Sequence, residues 1–390
     1  MPRALIPLAV GAFAIGCTEF VIMGLLPQIG ADLGASIPAM GILITAYAIG
    51  VMVGAPAMTA LSTWLTTKQT LITLMAVFAA GNLLAALAPN YQVMLVARVV
   101  ASLAHGSFFG VGAIAARRAV PAHKATQAIS LMFTGLTLAN VIGVPLGTFV
   151  GQQFDWRWVF GGIAVLGLVT ILTLRVYLPE EGIRIELRTE LGAFRKSQVW
   201  IGLGVTTISF GSLFAVYSYI TPILTEHTGL GGTAITVVLA VFGIGTTIGT
   251  VVGGRLGDRY GMRMVAVGLL ITAVLLATFT FTSYSLWSAV ATLVAFGAVM
   301  FALGPAVQNK IIIAAGSGGS LVSAANQGAF NVANALGAAL GAYVINVGWG
   351  YGATMWVGAG LAALGAVMVT VNGLVDRSRT SKALRELVAA

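Results

Sequence analysis

Twelve apolar runs of about 20 residues dominate this chain, and they constrain its fold more than any other feature. A run of that length crosses the roughly 30 Å hydrocarbon core of a bilayer as one helix. The chain of 390 residues is 58% hydrophobic and only 8% charged, more apolar than a soluble protein of this length could hide in a core. We therefore predict an all-α polytopic membrane protein with spans near 5–29, 38–62, 70–88, 92–116, 125–151, 157–178, 198–225, 233–256, 263–282, 286–312, 321–346 and 351–374.

The connections between spans are short, except for the charged segment 179–197, which we expect to hold an amphipathic stretch. It divides the chain into a first half of six spans (1–178) and a second half of six spans (198–376), followed by a tail (377–390). We expect no cleavable signal peptide, because the first run is span-length and leads directly into further spans. A lone cysteine, Cys17, excludes an internal disulfide and matches no metal-site spacing.

Lysine and arginine are distributed unevenly among the connections. When alternate loops are assigned to opposite sides, all but Arg98 and Arg157 of the 20 basic residues fall on one side. Cytoplasmic loops of membrane proteins carry this excess of cations. We therefore expect both termini and the segment 179–197 in the cytoplasm.

The two halves resemble each other at an offset of 194 to 195 residues. LANVIGVPLGTFV (138–150) aligns with VANALGAALGAYV (332–344), and AYAIGVMVG (46–54) aligns with VFGIGTTIG (241–249). Because each half has an even number of spans, the copies share one orientation, and a pseudo-twofold axis runs along the membrane normal. Parallel repeats of this kind build transporters in which one half rocks against the other around a central substrate site.

One carboxylate, Glu19, lies in the middle of a span, and the repeat-related position is Phe214. A charge at such depth costs at least about 2.5 kcal/mol, so it needs a function or a partner. At about 1.5 Å per residue, Glu19 and Arg98 both come to lie about 9 Å below the edge of the membrane core. Three roles remain open: proton coupling, which we favour, a permanent ion pair between spans 1 and 4, and recognition of a charged substrate.

Five motifs give the chain a resemblance to a known family: TEFVIMGLLPQI in span 1, RVVASLAHGSFFGVG (98–112), GVPLG (143–147), DWRWVF (155–160) and GGRLGDRYGMR (253–263). With them the whole chain resembles the major facilitator superfamily, in particular its twelve-helix drug:proton antiporters of the arabinose-efflux and chloramphenicol-exporter type. In the first-half copy of the last motif, ALSTWLTTK (60–68), Thr63 stands where the superfamily usually has aspartate. The resemblance implies a multi-pass protein of the bacterial inner membrane.

The resemblance also implies roles for particular residues. Proton coupling is associated there with the acid of span 1 and the arginine of span 4, which are Glu19 and Arg98. His105, seven residues after Arg98, either relays protons or bonds a neighbouring backbone group, and we favour the second reading. The resemblance implies a latch that holds the outward-facing state, formed by Arg255, Asp258, Arg259 and Arg263. The alternative is that these residues form an ordinary basic loop with an acid near the start of span 9.

Other residues suggest a cavity and a bend. Gly143, Pro145 and Gly147 are expected to let span 5 bend and pack closely. The asparagines Asn140 and Asn334 either orient a substrate or, as we favour, form interhelical hydrogen bonds. The candidate cavity residues are largely apolar and uncharged: Phe20, Met23, Phe109, Met132, Phe133, Asn140, Phe210, Phe214, Tyr217, Asn331 and Asn334.

We expect proton-coupled secondary active efflux of small neutral or weakly polar molecules, drug-like compounds or sugars, by alternating access. Phosphorylated sugars or dicarboxylates would need more buried cations than the chain has. Proton-coupled uptake is the alternative, because the sequence does not set direction. An intramembrane enzyme or a channel is disfavoured, since no acid/base or metal spacing and no selectivity-filter loop occurs. Substrate, protons and lipid are the expected partners of a monomer, with no cofactor, metal or nucleic acid.

Overall fold

The computed structural model of the protein describes residues 3–35, 37–180, 187–316 and 319–389. Within these ranges, twelve helical stretches are long and apolar enough to cross a membrane, which confirms the predicted number of spans. The α-helices are α1 Leu5–Val21, α2 Leu26–Asp32, α3 Ile37–Leu61, α4 Thr67–Ala86, α5 Tyr91–Arg118, α6 Ala125–Leu138, α7 Val144–Gln153, α8 Trp156–Tyr177, α9 Leu187–Ala193, α10 Ser197–Tyr217, α11 Ile220–Thr228, α12 Gly232–Tyr260, α13 Met262–Thr282, α14 Leu286–Ala315, α15 Gly319–Asn346 and α16 Gly352–Ala389.

Two predicted spans are broken at repeat-related places. The first, predicted over 5–29, passes from α1 through a short 3₁₀ turn, Ile22–Gly24, into α2. The seventh, predicted over 198–225, ends with α10 at Tyr217 and continues as α11. Pro27 and Pro222 lie in the first turns of α2 and α11, where a missing N–H is tolerated, whereas inside a continuous helix each would remove a hydrogen bond. The matching breaks support the internal repeat.

The fifth span changes its helical geometry in the middle. α6 passes into a π-helical stretch, Ala139–Gly143, and α7 follows with Pro145 in its first turn. A Cβ atom at Gly147 would lie 2.7 Å from Val21 Cγ2 in α1, so only glycine permits this approach. The glycines and proline of the motif thus accompany a change of helical geometry and a close contact with α1, whereas a bend of the span stays a prediction.

Each half has its own apolar core. In the first half, Phe78, Phe108 and Phe160 are fully buried among α1 and α4–α8, and in the second half Phe279 and Phe296 are buried among α10–α16. Large apolar side chains point outward from both halves, as lipid contact requires: Trp64, Trp158, Val274, Phe281 and Trp287.

The ends of the bundle differ in charge. α5, α8 and α12 end, and α4, α6 and α15 begin, at the same end, which we call the basic end because most of the lysines and arginines lie there. Lys68 donates to the carbonyl of Arg175 across it, at 2.8 Å. Arg157 lies at the opposite end, where it forms a 2.6 Å ion pair with Asp32 and donates to the carbonyl of Ala88.

The halves contact each other at the basic end. Ser323 of α15 donates to the Gly110 carbonyl in α5 at 2.9 Å, and Ser130 of α6 donates to the Thr250 carbonyl in α12 at 2.6 Å. All of these groups lie within about three turns of the helix ends at that side. The described structure is therefore closed at the basic end.

Candidate functional site

Glu19 and Arg98 lie at the same level of the first half, as residue counting predicted. Arg98 is 1% exposed, and its Nη1 donates to the carbonyl oxygen of Thr18 at 2.8 Å. The carboxylate of Glu19 is half-buried and interacts electrostatically with the guanidinium. Between these two described residues there is no close ion pair, so a backbone carbonyl, rather than the acid, holds Arg98 in this state.

Tyr47 of α3 covers the arginine, and sequence analysis did not single it out. The guanidinium carbon of Arg98 lies 4.1 Å from the centroid of the Tyr47 ring, a cation–π contact. Both side chains are almost fully buried. A tyrosine in the middle of an apolar span was the available signal, because its buried hydroxyl must find a partner.

That partner is His105. The Tyr47 hydroxyl lies 3.2 Å from His105 Nδ1, and the histidine is 6% exposed. The reading we favoured, a bond from His105 to a neighbouring backbone group, is therefore wrong. A side chain on another span supplies the contact, because His105 points from α5 towards α3. Arg98, Tyr47 and His105 are buried and connected by these contacts, and the half-buried Glu19 acts on Arg98 electrostatically. We call these four residues, which lie on α1, α3 and α5, the charged cluster.

A second polar contact supports the first helix beside the charged cluster. Thr18 donates from Oγ1 to Oδ1 of Asn82 at 2.8 Å, and Asn82 donates to the carbonyl of Phe78. Arg98 Nε is buried without an acceptor among the described residues. Buried unpaired donors are rare in proteins, so this one calls for an explanation.

Four of the predicted aromatic residues lie in two groups of contacting rings, one in each half. The ring of Phe109 contacts that of His105, with 5.3 Å between the ring centroids. It also stacks on the ring of Phe133, at a centroid distance of 5.1 Å. In the second half, Phe210 and Phe214 both contact Phe330 of α15, at 4.4 and 5.5 Å.

Exposure divides the predicted cavity residues into groups. Met23 is 49% exposed, and the half-buried members are Phe20, Phe133, Asn140, Phe214, Tyr217, Asn331 and Asn334. Phe109, Met132 and Phe210 lie inside the cores of their halves. The assignment of these residues to a substrate cavity stays a prediction.

The repeated asparagines do not form the interhelical hydrogen bonds that we favoured. Asn140 and Asn334 are half-buried, and neither bonds another described residue. Asn331 donates to the carbonyl of Gln327 within its own helix, at 3.0 Å. That expectation is wrong because these positions lie on partly exposed faces, Asn140 within the π-helical stretch and Asn334 near the middle of α15.

A different asparagine links helices in the second half. Asn326 of α15 accepts from Thr206 of α10 at 2.6 Å and donates to Gln308 of α14. Gln308 in turn donates to Ser323, which reaches Gly110 of the first half. This chain of uncharged groups ties three second-half helices together and ends at the contact between the halves.

Asp258 contacts the other half of the molecule. Its Oδ1 accepts the backbone N–H of Thr126 at 2.7 Å, and its Oδ2 accepts that of Gln127 at 3.0 Å. The acid lies in the last turn of α12 and binds the start of α6. The alternative, an ordinary basic loop, had placed it near the start of the ninth span. Arg255, Arg259 and Arg263 are exposed around it, with Arg259 over the ring of Tyr260.

Comparison with known proteins places this arrangement in a family. The sequence model of the Major Facilitator Superfamily matches residues 8–326 and 199–387. The inner membrane transport protein YdhP of Escherichia coli K12 is 41% identical over 367 residues, covering 94% of both chains. A chloramphenicol resistance protein of Streptomyces lividans is 32% identical over 252 residues, 63% of this chain and 64% of that one.

A solved structure has the same fold. The human organic anion transporter MFSD10 (TETRAN) superposes with a TM-score of 0.78, over 94% of this chain and 99% of that one, at 14% identity. These relatives and MFSD10 are transporters, not enzymes.

Proposed function

This chain belongs to the Major Facilitator Superfamily, as a multi-pass transporter of the bacterial inner membrane, and on that premise we propose that it exports small neutral or weakly polar molecules in exchange for protons. The observation that carries the proposal is the charged cluster in the first half. It combines the one acid placed in the middle of a span with a buried cation and a histidine.

The contacts of Arg98 support proton coupling over a fixed ion pair. Burial favours the neutral form of an acid, and a nearby cation favours the charged form. Because Arg98 holds a backbone carbonyl and retains an unpaired Nε, the Glu19 carboxylate can approach it or leave it without breaking an existing ion pair. A change in the exposure of Glu19 as the halves rock would then load or release one proton.

We infer the orientation from the distribution of charge and the conformational state from the contact between the halves. If the basic end lies in the cytoplasm, its closure favours an outward-facing state. The contact of Asp258 with the start of α6 supports its role as a latch for that state. The exposed arginines around Asp258 belong to the same proposed latch.

The direction of transport and the cargo rest on composition and on one relative. The half-buried candidates Phe133, Phe214 and Asn334 supply aromatic and amide groups but no charge, which suits neutral or weakly polar cargo. The Streptomyces relative is named for chloramphenicol resistance. The resemblance to drug:proton antiporters, which GVPLG helps to carry, also favours export.

The test is substrate-induced proton flux in proteoliposomes that contain a pH-sensitive dye, with a panel of antibiotics and sugars. We compare the wild type with Glu19→Gln and with Glu226→Gln, which removes the same charge from an exposed site. Wild type and Glu226→Gln should couple cargo to protons moving the opposite way. In Glu19→Gln the proton flux should fall about 100-fold or more, the range expected for loss of a proton-transfer group. Exchange of labelled for unlabelled cargo should persist in this variant.

Two results would contradict the proposal. Intact proton flux in Glu19→Gln would remove the acid from coupling. Movement of protons and cargo in the same direction would favour uptake instead of export.

A further inference from the structure

Two repeat-related helices, α6 and α15, begin at the basic end, and a carboxylate binds each of their first turns. Asp258 accepts the N–H groups of Thr126 and Gln127 in α6. Glu190 accepts those of Ser320, at 3.2 Å, and Leu321, at 2.7 Å, in α15. The first N–H groups of a helix have no partner within it, and an acid there also meets the positive end of the helix dipole.

The two contacts are equivalent in the repeat. An offset of 194 residues, the one that aligns 138–150 with 332–344, also aligns Thr126 with Ser320 and Gln127 with Leu321. The acids themselves are not equivalent. At an offset of 195, the one that aligns 46–54 with 241–249, the counterpart of Asp258 is Thr63, which carries no carboxylate. Glu190 comes instead from α9, between the halves.

The helix that carries Glu190 is attached to the second half. Ala193, at its end, is buried in the second-half core, and Phe194 packs against the same core. Lys196 donates to the Ala315 carbonyl at the end of α14, at 2.8 Å, and Trp200 donates to the Phe194 carbonyl. Glu190 and the helix that it caps therefore belong to the same half.

Glu190 is itself 4% exposed. Burial raises the pKa of its carboxyl, and the N–H groups of Leu321 and Ser320 lower that pKa in part. Arg118, at the end of α5, is the first-half cation that also acts on it electrostatically. The donors at the start of α15 thus offset part of the cost of burying this acid.

We propose that Glu190 replaces the acid missing at position 63, so that the first N–H groups of α15 are capped without a carboxylate from the first half. When the halves separate at the basic end, α6 must give up Asp258, whereas α15 keeps Glu190. Opening then breaks one acid–helix contact instead of two. Glu190 is thus a positioning residue, which also holds α9 to the second half; this inference rests on the alternating-access part of the proposed function.

Two measurements on purified protein, without cargo or a proton gradient, distinguish the effects of Asp258 and Glu190. Because neither measurement involves transport, a negative result here is distinct from a negative result in the proton-flux test. Spin labels at Trp64 and Ile313, both exposed near the basic end, report the ratio of open to closed molecules in a Cys17→Ser background. Hydrogen exchange reports the protection of α9 and of the first turn of α15. The variants are Asp258→Ala, Glu190→Ala and, as a matched control, Glu180→Ala, which removes an exposed acid from the same segment.

Asp258→Ala should raise the open fraction about fivefold, the effect of losing one helix cap. Glu190→Ala should leave that ratio within about twofold but speed exchange at α9 and at the start of α15 about fivefold. Glu190→Gln keeps one acceptor oxygen and should give an intermediate exchange rate, which provides a second test if the alanine variant does not purify. Glu180→Ala should change neither measurement.

The proposal is overturned if Glu190→Ala raises the open fraction as strongly as Asp258→Ala, because Glu190 would then be a clamp between the halves, acting through Arg118. It is also overturned if exchange at α9 is unchanged, since Glu190 would then not hold that helix.

Discussion

At the scale of single residues, protein groups replace the water that would otherwise hydrate the buried guanidinium of Arg98. One N–H group meets the carbonyl of Thr18, and the flat face of the guanidinium lies on the Tyr47 ring. The hydroxyl of that ring continues to His105. Tyr47 therefore joins the cation to the histidine through two different kinds of contact, which substitutions can separate.

Tyr47→Phe keeps the ring over Arg98 and removes the hydroxyl, whereas Tyr47→Leu removes both. We expect Tyr47→Phe to lower the free energy of unfolding by about 1 kcal/mol, the worth of one hydrogen bond. Tyr47→Leu should cost about 2 kcal/mol more, because a desolvated cation–π contact is lost. Unfolding in mixed micelles measures both values.

Tyr343 provides the control, because its side chain is 63% exposed on α15. Tyr343→Phe and Tyr343→Leu should both stay close to the wild type. Equal losses for Tyr47→Phe and Tyr47→Leu would mean that the ring face contributes nothing to holding Arg98.

Depth along a helix could be predicted from sequence, but rotation about its axis could not. Counting residues brought Glu19 and Arg98 to one level, because the rise per residue is constant. Which side chains of neighbouring spans then meet depends on how each helix is turned. This is why the contact of His105 with Tyr47, and the linking role of Asn326 instead of Asn334, emerged only from the structure.

At the scale of helices, close packing in the second half depends on glycine. Gly249 and Gly253 of α12 face Ala298 and Ala302 of α14. A Cβ atom at Gly249 would lie 2.6 Å from the Cα of Ala298. Small residues at four-residue spacing let membrane helices approach along their backbones.

Gly249→Val should therefore push α12 away from α14, at a cost of about 3 kcal/mol or more, since neither backbone can yield. The yield of monodisperse protein in size-exclusion chromatography should fall sharply. Gly360→Val is the matched control, because that helical glycine in α16 has open space around it. Similar yields for both variants would show that the two helices tolerate a wider separation.

Helix ends were harder to predict than helix identity. The apolar runs predicted twelve spans correctly, because length and hydropathy determine what can cross a bilayer. They did not predict the breaks after Val21 and Tyr217, since the residues on both sides of each break are apolar. The two prolines were visible in the sequence, but a proline inside an apolar run is compatible with either a kink or a new helix.

At the scale of the whole molecule, transport by alternating access requires the closed basic end to open. A covalent link across that end tests the requirement directly. A Cβ atom at Gly257 would lie 3.4 Å from the Cβ of Thr126 in the other half, near the lower limit of about 3.5 Å for disulfides. The only native thiol, Cys17, is buried and can be replaced by serine.

In that background, Gly257→Cys with Thr126→Cys should form a disulfide under mild oxidation. Transport should fall at least about tenfold, because a disulfide geometry fixed across the interface prevents separation. A reductant should restore it, and each single cysteine variant should be insensitive to both treatments. Undiminished transport by the cross-linked protein would mean that the halves need not separate beside Asp258.

A single acid in the middle of the spans also determines the electrical character of the proposed exchange. One carboxylate carries one proton at a time, so a cycle that exports an uncharged molecule through Glu19 moves one elementary charge inward. The membrane potential then contributes about 2.3 kcal/mol per 100 mV to each turnover, in addition to the pH gradient. Cells with a small pH gradient but a large voltage would still be able to drive such a carrier.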